Sequence, residues 1–251
     1  MDALRLEEAL TFVEQRFGME WLKDNIDTLK ESDPERTTSG RYINIGQTGI
    51  SPLAGMWYRA REEMALYHLN GYLKPSVETL LLIRLVDEIR ITEKVPGFHL
   101  LERSLKDISG YAKTAYGIHI AAGFLDLGYN VVFGEDIGKF YVSPQGLTVE
   151  VYNLPGQEAA PHLLPALEKV GNKNLVYYFD CRPVPGEEPE KALEDWGRVL
   201  GQNIPPGVCN IVCTTTLFGQ NNRGSFLLEK SVLLGSKQSN LELYLPAAEG
   251  R

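Results

Sequence analysis

The chain has 251 residues, 43% of them hydrophobic, with a formal net charge of −8 and a pI near 5.2. That length supports a sizeable core in one or two domains. The acidic balance disfavours nucleic acid as a partner, because phosphate recognition relies on clustered Lys and Arg.

The segment Met1-Asp-Ala-Leu-Arg-Leu-Glu-Glu lacks the basic start and apolar run of a signal peptide. The apolar run Leu80 to Ile83 is cut by Arg84 and Asp87, too short to span a bilayer. Cys181, Cys209 and Cys213 make no even disulfide framework. A cytoplasmic protein with no membrane contact is the expectation.

In chain order, Ala3 to Arg16 and Met19 to Glu31 carry apolar residues at three- and four-residue spacing, the period of amphipathic helices. Asp33-Pro34 ends the second. Glu35 to Pro52, rich in Thr, Ser and Gly, reads as a loop. Its Gly46-Gln-Thr-Gly49 lacks the Lys of a phosphate loop. Helices follow at Leu53 to Leu69, closed by Gly71, and at Ser76 to Ile91, opened by Pro75 and Ser76. The short linker between them predicts an antiparallel pair. Arg59, Arg61, Arg84 and Arg90 alternate with acids, as on solvated helix faces. After Pro96-Gly97 a short helix, Phe98 to Lys106, leads to a longer one at Tyr111 to Leu127, closed by Gly128.

Three strands are then predicted at Tyr129 to Phe133, Lys139 to Val142 and Leu147 to Tyr152. A helix around His162 to Val170 precedes a strand at Leu175 to Phe179. A helix at Glu190 to Leu200 precedes strands at Val208 to Leu217 and Ser225 to Leu234. This alternation predicts an α/β layer with a mixed sheet, and residues after Gly235 read as an appended tail. Tyr177, Tyr178 and Phe179 would suit a stacking platform if exposed, but in an apolar strand they read as core. Cys209-x-x-x-Cys213 has no Cys or His at a metal-site spacing beside it and reads as buried thiols.

The helix at Tyr111 to Leu127 feeding this meander resembles the PD-(D/E)XK nuclease-like (restriction-endonuclease-like) superfamily. The likeness covers about half of the chain. It implies an α/β (α+β) fold: an N-terminal helical domain at 1–108, a restriction-endonuclease-like mixed sheet flanked by helices at 109–235, and a tail at 236–251. In that superfamily the helix contributes a Glu, a Pro-Asp-Phe opens a strand, and a Glu-x-Lys sits on the next strand. Aligned on Gly128-Tyr129, the helix position falls on Gly117. Gly138-Lys139-Phe140 stands for Pro-Asp-Phe, with Lys139 at the Asp position, and Glu150-Val151-Tyr152 stands for Glu-x-Lys.

One of the four characteristic positions survives. Magnesium needs hard oxygen ligands, including one or two protein carboxylates. A Lys in place of an Asp costs cation binding several kcal/mol at ~4 Å and an intermediate dielectric. The resemblance therefore implies a degenerate site and a non-catalytic binding or interaction module, with no cofactor expected. A protein partner or homo-oligomer stays open. The alternative is a Mg-dependent nuclease whose carboxylates have moved, using Asp136 and Glu150 as metal ligands and Lys139 as the missing cation. His119, two residues after Gly117, is a candidate base or a structural histidine. His68, His99 and His162 have no partners by spacing. A third reading is an unrelated α/β protein whose meander follows the same pattern.

Overall fold

The computed structural model describes residues 3–32, 50–154, 174–181, 189–202, 210–221, 224–235 and 243–246. The helix expected around His162, most of the loop expected at Glu35 to Pro52, and Cys209 lie outside them. The described residues have an α/β mixed architecture, helical in the N-terminal half and followed by a six-stranded mixed sheet. Helices are α1 (Ala3–Phe17), α2 (Met19–Ser32), α3 (Pro52–Asn70), α4 (Val77–Thr92), α5 (Glu102–Lys106), α6 (Ile108–Asp126) and α7 (Pro189–Gln202). A 3₁₀ turn covers Phe98–Leu100, where a single short helix to Lys106 is predicted. Among the described residues no helix is long and apolar enough to cross a membrane.

The chain divides into two compact units. The first comprises Met1–Arg90, Glu102–Ala112 and Gly219–Phe226; the second comprises Ile91–Leu101, Lys113–Phe218 and Leu227–Arg251. In the first unit, the periodic apolar residues of α1 (Leu6, Ala9, Leu10, Val13, Phe17) are buried, as their spacing requires. So are Leu53, Ala54, Trp57, Ala60 and Met64 of α3. Helix α3 packs principally on α1 and α2 rather than side by side with α4. Trp57 Nε1 donates to Glu14 Oε1 at 3.0 Å, and Arg61 pairs with the same carboxylate at 3.2 Å.

Gly71 ends α3 in the left-handed region at φ 69°, its N–H donating to the Tyr67 carbonyl. The start of α4 is capped from two sides. Ser76 Oγ accepts from the Thr79 N–H at 3.3 Å, and buried Glu63 of α3 accepts the Ser76 N–H at 3.1 Å. Sequence shows Thr79 where a capping-box Glu would stand; Glu63 supplies that carboxylate from another helix.

The second unit holds the sheet. Strands β1 (Asn130–Phe133), β2 (Lys139–Ser143), β3 (Leu147–Leu154), β4 (Leu175–Cys181), β5 (Asn210–Asn221) and β6 (Gly224–Gly235) lie in chain order across it. β1, β2 and β3 form an antiparallel meander, while β3, β4 and β5 are parallel. β5 and β6 are neighbours separated by two residues, a link too short for a parallel crossover, so they form a hairpin.

Alternation along the strands sets two faces. Phe133, Phe140, Val149, Val151 and Tyr178 are buried on the α6 face, where Phe124 meets the rings of Phe140 and Tyr178 at 6.2 and 6.1 Å. On the other face Trp196, Leu193 and Leu200 of α7 cover Tyr177, Phe179, Cys181, Ile211 and Cys213. Tyr177, Tyr178 and Phe179 are thus core residues, and Cys181 and Cys213 are buried free thiols. Helix α7 leaves the β2–β3 part of this face open, and Tyr141 there is 47% exposed.

The tail is more than an appendage. The Tyr178 hydroxyl donates to the Tyr244 carbonyl at 2.7 Å, Ser231 Oγ donates to the Pro246 carbonyl at 3.2 Å, and the Tyr244 ring lies against Gly123. An aromatic ring can dock here because a glycine in α6 leaves it room.

Candidate functional site

The open part of the sheet ends in a cleft of about 570 Å³ lined by Lys113, Glu135, Asp136, Ile137, Gly138, Lys139, Glu150 and Tyr152. The 134–138 turn forms one wall. Two backbone bonds fix it: the Gly134 N–H donates to the Lys139 carbonyl at 2.9 Å, and the Lys139 N–H to the Asp136 carbonyl at 3.1 Å. The Val151 N–H donates to the Gly138 carbonyl at 2.8 Å and ties the turn to β3.

On the floor, Lys139 and Glu150 are direct partners in the β2–β3 register. Lys139 Nζ lies 3.4 Å from Glu150 Oε1, and the Tyr152 hydroxyl donates to Glu150 Oε2 at 3.0 Å. Residues 150 and 152 share a face, so the period of the strand creates the second contact. Both oxygens of Glu150 are engaged. Burial first, and then the Glu150 carboxylate, hold the Tyr152 phenol well above the ordinary tyrosine range. The same two causes push Tyr177, the β4 partner of Glu150, up to about 12. The Tyr152 ring stacks on Phe179 at 5.5 Å, which fixes the hydroxyl on its carboxylate.

Lys113 is the residue that sequence reasoning missed. It projects from α6 with its Nζ 5.1 Å from the centre of the Tyr152 ring, a cation–π contact. It therefore brings a cation to the Tyr152 side of the cleft. Gly138 makes this path open. A Cβ there would lie 2.5 Å from Lys113 Cε and 2.9 Å from Val151 Cγ2, and the backbone is left-handed at φ 80°. Lys113 lies four residues before Gly117, hence on the same helix face. Gly117 packs on Gly138 and Val151, so a Cβ there would make ordinary contacts at 3.6 Å. The spacing of Lys113 and Gly117 was the available signal.

Three of the four sequence candidates, Asp136, Lys139 and Glu150, line this cleft; His119 is not among its lining residues. His119 is 8% exposed, with Nε2 3.1 Å from Glu229 Oε1 of β6 and its ring beside Tyr116 and Tyr244. Asp136 and Glu135 are exposed on the turn. Among the described residues no group of three or more His, Cys, Asp or Glu side chains could hold a metal ion. Each Glu150 oxygen already carries one contact, Oε1 to the Lys139 ammonium and Oε2 to the Tyr152 hydroxyl.

Among the described residues, Arg59 pairs with Glu62 and Glu63, Arg61 with Glu14, Arg84 with Glu88 and Arg90 with Asp87.

Comparison with protein-family models, with curated proteins and with solved structures finds no match to this chain.

Proposed function

We propose that this chain is a degenerate member of the PD-(D/E)XK nuclease-like superfamily, in which metal-dependent cleavage is lost and the fold serves as a binding or interaction module. A helix feeding an antiparallel meander, with Glu150 on its third strand, supports the likeness. The observation that carries the loss of chemistry is the double engagement of Glu150 by Lys139 and Tyr152. An ammonium group stands against the carboxylate that a metal would need. Free, buried Cys181 and Cys213 fit a reducing, cytoplasmic setting.

Purified protein should not cleave single- or double-stranded DNA or RNA with Mg²⁺ or Mn²⁺. Titration with either ion should give no binding in the low-millimolar range, which is about where a single-carboxylate site would fail. One observation favours a second reading: Asp136, Glu150 and Lys139 share the cleft, as a nuclease with relocated residues would require. Cleavage by the wild type, lost on Asp136→Ala or Glu150→Ala, would establish that reading and reject the first.

A further inference from the structure

We propose that the cleft binds a phosphate group between the ammonium groups of Lys113 and Lys139, without a metal ion. The inference rests on the binding-module reading and names its ligand class. Two lysines, one from α6 and one from β2, converge on a single cleft of about 570 Å³. That volume lies within the ~300–1,000 Å³ usual for small-molecule sites.

Lys113 is paired with no carboxylate among the described residues; its ammonium lies on the Tyr152 face. Its stem lies along Gly138, with Cγ and Cε nearest the glycine. Lys139 has a partner, but an ammonium carries three donors and Glu150 Oε1 takes one. The others remain for an anion, with Glu150 fixing the side chain on its far side.

The opposing charges are Glu135 and Asp136 on the rim and Glu150 on the floor. They keep affinity modest, and they give the proposal a sign that is easy to test. Removing a rim acid must tighten an anion and weaken a cation.

The test uses the full chain in EDTA with three probes: inorganic phosphate, adenosine monophosphate and a fluorescein-labelled oligothymidylate. Saturable binding is expected for at least one. Lys113→Met, which keeps the stem on Gly138 and the Tyr152 ring, should weaken it about tenfold, the effect of ~1.4 kcal/mol. Lys139→Met should do the same, and Asp136→Asn should tighten it about two- to fivefold by removing a ~0.4–1 kcal/mol repulsion.

Binding confined to the first two probes assigns the site to free phosphates or nucleotides; preference for the oligomer assigns it to a nucleic-acid backbone. No saturable binding of any probe, or binding unchanged in both lysine variants, overturns the proposal while leaving the absence of cleavage intact. Binding that appears only with added Mg²⁺ overturns both this proposal and the metal-free reading beneath it.

Discussion

Lys139 and Glu150 stand opposite each other in the β2–β3 ladder, with Nζ 3.4 Å from Oε1. The two side chains are 30% and 23% exposed, so the pair contributes only about 0–1 kcal/mol to stability. Its consequence is chemical. The ammonium stands against one oxygen of Glu150, and the Tyr152 hydroxyl donates to the other.

Reversing the charge should reopen the site. In the double variant Lys139→Asp with Tyr152→Lys, two carboxylates face each other across the ladder, at a folding cost of about 0.2–1 kcal/mol. Mn²⁺ should then stabilise the variant and not the wild type. With the ion at about ten times its dissociation constant the gain is ~1.4 kcal/mol, readable as a rise in Tm. A folded double variant whose Tm ignores Mn²⁺ would show that the cleft lacks the geometry of a metal site.

Gly138→Ala should destabilise the protein and disturb the cleft together. The left-handed backbone alone costs a non-glycine residue about 1–2 kcal/mol. The new methyl would also lie 2.9 Å from Val151 Cγ2 and 2.5 Å from Lys113 Cε. Val151 is buried and cannot retreat, whereas Lys113 can swing out. Urea unfolding should show a loss of about 2–3 kcal/mol, within the range of overpacking added to strain. A loss below about 0.5 kcal/mol, the scale of ordinary surface substitutions, would mean the turn relaxes freely.

The mixed sheet and its helices were legible because each element announces its own period. Alternation pointed to β1 to β3, three- and four-residue spacing to α1 and α2, and Gly71, Pro75 and Gly128 marked the ends of the helices that follow. The chemistry of the cleft was half legible. Asp136, Lys139 and Glu150 are close in sequence and fall together through a hairpin. Lys113 comes from a helix, and its arrival depends on the missing side chain of Gly138, a tertiary fact that no local pattern records. His119 looked equivalent to Gly117 because both lie on α6. Two residues along a helix turn the side chain by about 200°, so it meets Glu229 instead. The docking of Tyr244 was invisible for the same reason as Lys113: its partner is a glycine.

Alkaline pH should unfold this protein progressively. Burial raises Tyr116 and Tyr178 well above the ordinary tyrosine value, and burial with Glu150 raises Tyr152 and lifts Tyr177 to about 12. Below about pH 10 the folded and unfolded chains both keep these phenol protons. Above it the unfolded chain releases them and the folded chain does not, so stability falls as pH rises. Each tyrosine can contribute up to about 1.4 kcal/mol per pH unit, and Tyr177 ceases to contribute near pH 12. Urea midpoints should begin to fall near about pH 8.5, because the hydrogen bond to Cys213 and burial keep the Cys181 thiol protonated while an unfolded thiol ionises, and should drop more steeply above about pH 10, less so in Tyr177→Phe. A midpoint unchanged to about pH 11 would contradict the burial of these phenols.

Gly123→Ala sets helix propensity against packing. In the interior of α6 alanine is favoured over glycine by about 1 kcal/mol. At this site, however, a Cβ would overlap the Tyr244 ring, whose backbone is held by the Tyr178 hydroxyl at 2.7 Å. Overpacking of a fixed ring costs about 1–3 kcal/mol, so the substitution should be neutral to destabilising and should release residues 243–246 to proteolysis. Removing the ring reverses the sign. In a Tyr244→Ala background the same Gly123→Ala change should stabilise by about 1 kcal/mol, because only the propensity gain remains. The difference between the two backgrounds is the coupling energy of the contact, about 1–3 kcal/mol for residues that touch. Equal effects of Gly123→Ala with and without the Tyr244 ring would show that the ring does not rest on α6.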